Sequence, residues 1–189
     1  WNLARLADSL LPLLHKEKEK AVKLVELAIE NYSTSFKRAW ITGMRCKLGL
    51  FGEEADDFSL AQNLLDWMQT SKADYTRTFR DLTQENILEN EAYGSPVFKK
   101  WNILWKARLK RNSKPLKDAF RMMRNTNPAI IPKNYHVEEA LSAGVVGDLK
   151  PFFNLLEALK NPFEETLSNE VYRNKTIQPD LNYQTFCGT

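Results

Sequence analysis

An all-α fold is predicted for this 189-residue chain by three features of its sequence. Apolar residues recur at three- and four-residue steps along most of its length. Helix-start signals built from Ser, Asp and Pro precede several of those runs. No stretch of useful length alternates apolar with polar residues as a half-buried strand does, and no internal repeat or low-complexity segment is present.

In the first segment, Leu3, Leu6, Leu10 and Leu14 form one apolar stripe. Pro12 lacks a backbone donor, so a kink or break is expected near Leu11. A long helix follows, with Val22, Val25, Ile29, Tyr32, Phe36, Trp40 and Met44 as its expected core face. Burying one such side chain is worth about 1.5–3 kcal/mol, whereas an exposed Glu19–Lys23 pair adds roughly 0.2–0.5 kcal/mol. Packing therefore decides this helix, and the Lys/Glu run before it is a solvated lead-in.

Gly49 and Gly52 end that element, and Asp57 or Ser59 is positioned to cap the next, which carries Leu60, Leu64, Leu65, Trp67 and Met68. "ADYTRTFRDL" predicts a short helix with Asp74 near its start. "YGSPVFKKWNILWKARLKR" has Ser95 as cap and Pro96 at the first helical position, with Val97, Trp101, Leu104, Trp105 and Leu109 as the expected inner face. "SKPLKDAFRMMR" repeats the Pro-led start, with Leu116, Phe120 and Met123 inward. "YHVEEALSAGVVGDLKPFFNLLEALK" reads as two helices broken near Gly147, Asp148 capping the second. A helical domain over residues 1–160 and an irregular tail over 161–189 are expected, the latter from Pro162, Pro179 and their polar surroundings.

Hydrophobic residues at 43% and charged residues at 27% are near the globular average and argue against disorder. A net charge of +3 does not by itself imply a nucleic-acid partner. No apolar run is long enough to span a membrane, and the opening residues lack the basic start and cleavage site of a secretory signal. Two cysteines make no disulfide framework, so a reducing cytosol is the expected compartment. An opening on Trp1 gives the expectation that the chain is part of a longer protein.

Candidate chemistry is sparse. The seven glycines are scattered and make no phosphate-binding loop. His15 and His136 have no Cys or His at metal-ligand spacing, and Glu138 and Glu139 beside His136 fit a helix start as well as acid–base work. Asp56–Asp57 and Glu164–Glu165 are sequence neighbours and do not share a helix face. No nucleophile elbow is present.

The strongest charge feature is the strip over residues 99–124, where ten Lys and Arg stand against Asp118 alone, a net +9. Lys106, Arg108, Lys110 and Arg111 are its central candidates for an anionic partner, an acidic protein or a nucleic acid. Trp101 and Trp105 would be stacking partners there, but both fall on the expected core face, which favours a solvated face meeting acidic surface. Cys46 is expected to be a packed thiol in the long helix. Cys187, two residues from the end, is a candidate reactive thiol.

"WNLARLADSLLPLL", "NPAIIPKNYHVEEAL" and the terminal "YQTFCGT", with "DYTRTFRDL" and "LWKARL" between them, resemble the selenoprotein O (SelO/YdiU) family nearly end to end. That resemblance implies the C-terminal helical part of a kinase-like protein adenylyltransferase. Such enzymes move AMP from ATP to Ser, Thr or Tyr hydroxyls of proteins, using Mg²⁺. The family's nucleotide- and metal-binding motifs lie upstream of "WNLARLA". The resemblance therefore places no catalytic, cofactor or metal residue in this chain, and the segment alone is expected to be inactive. Its implied partners are the upstream kinase-like lobe and protein substrates, with no membrane. A cytoplasmic location is implied, or a mitochondrial one for a eukaryotic member. Cys187 falls where family members carry Cys or selenocysteine, implying redox control with a partner cysteine outside this chain. The alternative is a freestanding helical module that binds through the strip 99–124.

Overall fold

The computed structural model describes residues 1–84, 87 and 91–173. Every regular element among them is helical, so the all-α expectation holds. The chain divides into two compact units, Trp1–Arg45 and Cys46–Thr189.

The first unit holds α1 (Asn2–Leu14) and residues 18–45 of α2 (Lys18–Leu48). Pro12 does not break α1 near Leu11; the helix continues to Leu14 and stops where His15 turns extended at φ −158°. A proline this close to the C-terminal end removes only one intrahelical donor, which limits its cost. Leu3, Leu6, Leu10 and Leu14 face Leu24, Ile29 and Tyr32 across an open apolar groove of about 290 Å³. The period of α2 was expected to bury Ile29, Tyr32 and Phe36, yet Tyr32 and Phe36 are 52% and 55% exposed. Within this unit only α1 is available to cover that face. At about 1.5 Å per residue, a 13-residue helix is less than half as long as a 31-residue one.

The second unit begins with the last turn of α2, which ends at Gly49 in the left-handed region (φ 72°). An added Cβ there would sit 2.8 Å from Met123 Sδ, so both conformation and space require glycine. Next come α3 (Asp57–Ser71) and α4 (Tyr75–Asp81). Asp56, not Asp57 or Ser59, occupies the cap position of α3, and it makes no side-chain cap bond. Asp74 caps α4 as expected, its Oδ1 accepting from Arg77 N–H at 2.7 Å.

The helix α5 (Pro96–Lys110) starts as the sequence predicts, with Ser95 Oγ accepting from Phe98 N–H at 3.2 Å. Its buried face is Phe98, Trp101, Asn102, Trp105, Arg108 and Leu109. Val97 and Leu104, expected inside, are exposed. They flank a stripe whose centre is Phe98, Trp101 and Trp105, and helical periodicity alone does not say where such a stripe is centred. In α6 (Leu116–Thr126), Met123 is buried as expected, whereas Leu116 is half exposed. The helices α7 (Asn134–Val145) and α8 (Lys150–Leu159) pack together, joined through Gly147 at φ 88°. Asp148 Oδ1 accepts from Lys150 N–H at 3.0 Å at the start of α8. Beyond it Pro162 C=O accepts from the Ala129 and Ile130 amides, and a short 3₁₀ turn leads to α9 (Glu170–Arg173).

An aromatic series organises this unit. Phe98 lies 4.6 Å from Trp67, 4.8 Å from Tyr93 and 5.4 Å from Trp101 between ring centroids, and Trp101 stacks on Trp105 at 5.6 Å. Each indole N–H is satisfied: Trp67 donates to Ser95 Oγ, Trp101 to Leu60 C=O and Trp105 to Leu48 C=O. Buried tryptophans need such partners, and here the bonds tie α5 to α3 and to the end of α2.

Candidate functional site

The basic strip lies on α5 and on α6 as far as Arg124, and its four central candidates have different fates. Arg108 is buried, although the sequence presents it as one of the central surface candidates. Its Nε donates to Asp57 Oδ1 at 2.7 Å, and Nη1 to Asn112 Oδ1 at 3.1 Å. Nη2 reaches the carbonyls of Phe51 and Gly52. Asn112 completes the network by accepting from Phe51 N–H and donating to Gly49 C=O. Arg111 is exposed but clamped by Glu54, with Nη2 to Oε2 at 2.6 Å. That bond and the nearby Arg108 charge hold the Glu54 carboxyl below its ordinary range despite partial desolvation.

Lys106 and Lys110 point the other way. Both are exposed, and with Lys114 they rim a groove of about 640 Å³ whose apolar wall is Trp105, Leu109, Leu116 and Phe120. Lys114 Nζ sits 4.7 Å above the Phe51 ring. Trp101 and Trp105 are 3% and 1% exposed, so neither offers a ring face for stacking.

A second polar feature was not singled out by sequence reasoning. Asp74, Arg77, Arg80, Asp81, Lys133, Glu165 and Arg173 line a cavity of about 170 Å³. Arg80 donates to Glu165 Oε1 at 2.7 Å and to the carbonyls of Arg124 and Asn127. Lys133 Nζ meets Asp74 Oδ2 at 3.0 Å, and Tyr93 O–H donates to Asp81 at 2.7 Å. Burial alone would raise the Asp74 carboxyl, but the Arg77 amide and the Lys133 ammonium outweigh it and hold it below the usual range. The Asp74/Arg77/Asp81 spacing was a local signal; Glu165 and Arg173, over eighty residues away, gave none.

His136 lies in the first turn of α7, and its buried ring packs edge-on to Tyr172 at 4.9 Å. Nδ1 is 3.7 Å from Glu139, whereas Nε2 and the Tyr135 hydroxyl are buried with no hydrogen-bond partner among the described residues. Desolvation outweighs Glu139 and lowers the His136 pKa from its ordinary value. Cys46 is half-buried and forms no disulfide among the described residues. Cys187 lies outside the described residues, as do Tyr183 and Phe186.

No group of three His, Cys, Asp or Glu among the described residues is placed to hold a metal ion. The carboxylates of Glu54, Asp57, Asp74 and Glu165 are each engaged by a guanidinium or ammonium. No helix among them is long and apolar enough to cross a membrane.

Residues 1–160 match the family model described as "Protein adenylyltransferase SelO". The chain is 45% identical over 190 residues to the "Protein nucleotidyltransferase YdiU" of Bacillus anthracis. It shows the same identity to proteins of that name from Bacillus cereus and Bacillus thuringiensis subsp. konkukian. In each case the match covers 100% of this chain and 39% of the relative, so the chain spans about two-fifths of the length of these curated relatives.

Proposed function

The chain belongs to the SelO family of protein adenylyltransferases, and from that membership we propose that it is the helical supporting part of a kinase-like enzyme that attaches AMP to proteins. In that enzyme a Ser, Thr or Tyr hydroxyl oxygen bonds to the α-phosphorus of ATP. The bond to the β-phosphate breaks, pyrophosphate leaves, and the hydroxyl proton passes to a base. The catalytic residues and the Mg²⁺ ligands belong to the remaining three-fifths of a relative-length protein. This chain contributes rigid helices and a protein-facing surface, and we place the enzyme in the cytoplasm, or in mitochondria for a eukaryotic member.

The observation that carries this reading is the end-to-end match to about two-fifths of the YdiU relatives. It is supported by acidic side chains that serve as internal ties: Asp57 holds Arg108 and Glu165 holds Arg80. A carboxylate so engaged would leave a buried cation unpaired if it turned to a metal. Titration calorimetry of the chain with ATP and Mg²⁺ tests the division of labour. No saturable heat is expected, whereas a protein of relative length should bind ATP and gain the mass of AMP on acceptor hydroxyls. Micromolar binding by this chain alone would overturn the proposal.

Redox control through Cys187 belongs to the same proposal. Its support is the likeness of the terminal "YQTFCGT" to the family's C-terminus. Tryptic mapping of the oxidised relative-length protein should find Cys187 linked to a cysteine outside this chain. A free Cys187 thiol under oxidants that change activity would leave the tail without a redox role.

A further inference from the structure

The groove between the end of α5 and the start of α6 combines an apolar wall with a basic rim. Its wall is apolar, from Leu109, Leu116 and Phe120, and its rim carries Lys106, Lys110 and Lys114. Its volume of about 640 Å³ falls within the ordinary range of about 300–1,000 Å³ for ligand sites. Lys106 and Lys110 make no ion pair among the described residues, in contrast to Arg108 and Arg111 beside them. Leu116 is half exposed at the first position of α6, where the helical period would have placed it inside.

We propose that this groove docks an acidic, amphipathic segment of a protein, a bulky apolar side chain entering against Leu116 and Phe120 while flanking carboxylates meet Lys106, Lys110 and Lys114. Identifying that protein as an acceptor of AMP rests on the adenylyltransferase reading; the docking itself does not. Charge complementarity selects this occupant. The apolar wall rewards a side chain that no phosphate backbone supplies, and buried Trp101 and Trp105 deny a nucleic acid its stacking partners. The lysine ammoniums are exposed point charges, suited to steering and holding carboxylates in a salt-sensitive way.

Fluorescence anisotropy with the full chain and a labelled peptide EDFLDELE tests the proposal, with no nucleotide present. Saturable binding is expected, falling as salt is raised. The Lys106→Glu/Lys110→Glu double variant and Leu116→Ser should each weaken it about tenfold (~1.4 kcal/mol). Lys99→Glu/Lys100→Glu reverses as many charges on the same helix outside this groove and should change binding less than about twofold. Circular dichroism checks that each variant keeps the wild-type fold. No saturable binding would overturn the proposal. So would equal binding by the peptide EDSSDESE, by a single-stranded oligonucleotide of matched charge, or an equal loss in the Lys99/Lys100 variant. Because the assay omits ATP, its failure leaves the adenylyl-transfer reading standing, and failure of AMP transfer leaves the docking result standing.

Discussion

Arg108 Nε lies 2.7 Å from Asp57 Oδ1, with the two side chains 4% and 0% exposed. This buried pair joins α5 to the start of α3 and recruits the Phe51 and Gly52 carbonyls and Asn112. Removing Arg108 takes the closest counterion from a carboxylate that water does not reach. Arg108→Met alone is therefore expected to cost about 3–5 kcal/mol. For a chain of this size that lowers the melting temperature by several degrees per kcal/mol. Pairing it with Asp57→Leu should recover much of the loss, because two apolar residues leave no orphaned charge. Thermal unfolding of the single and double variants measures both effects.

Gly49 and Gly52 separate backbone strain from steric clash. Both have positive φ, 72° and 77°, but only at Gly49 would a Cβ press on Met123 and Ala119. Gly52→Ala is expected to cost only the left-handed penalty of about 1–2 kcal/mol. Gly49→Ala should cost more, and adding Met123→Ala should relieve the Sδ contact but open a cavity. Denaturant midpoints of the three variants rank these effects.

Ser95 performs two tasks through one hydroxyl, accepting from Phe98 N–H and from Trp67 Nε1–H. Loss of a helix cap alone costs about 0.5–2 kcal/mol. Ser95→Ala should exceed the middle of that range, because it also strips a part-buried indole of its acceptor. Ser95→Thr keeps the oxygen and should remain closer to wild type. Tryptophan fluorescence during chemical unfolding reports the change in stability.

Burial lowers the His136 pKa from its ordinary 6.5, so the folded state disfavours the protonated ring. The unfolded chain then binds more protons below that value, and stability must fall with decreasing pH. The contribution is complete above about 6.5 and is lost as pH drops toward the folded pKa. Tyr135 and Tyr172 pack on the ring, Glu139 opposes the loss, and the Lys133 charge adds to it. His136→Phe should flatten the pH dependence of unfolding between about 7.5 and 5.5. An unchanged slope would show that His136 is not the titrating group.

Much of the helical plan was legible because its signals are local. Ser95 and Pro96 start α5, Asp74 caps α4, and Gly147 separates α7 from α8, each through backbone chemistry within a few residues. What misled was burial: Tyr32, Phe36, Val97, Leu104 and Leu116 obey the helical period yet are exposed. Periodicity defines a stripe, but the packing partner decides its centre and how much of it is covered.

The sequence by itself determined that the chain is helical, where several helices start and stop, that residues 99–124 are strongly basic, and which family it resembles. Only the tertiary structure divided that strip. It turned Arg108 inward to Asp57 and Arg111 onto Glu54, leaving Lys106 and Lys110 around an apolar groove. The physical reason is distance along the chain: Asp57 and Arg108 are 51 residues apart, and nothing short of folding brings a carboxylate to a guanidinium across that separation.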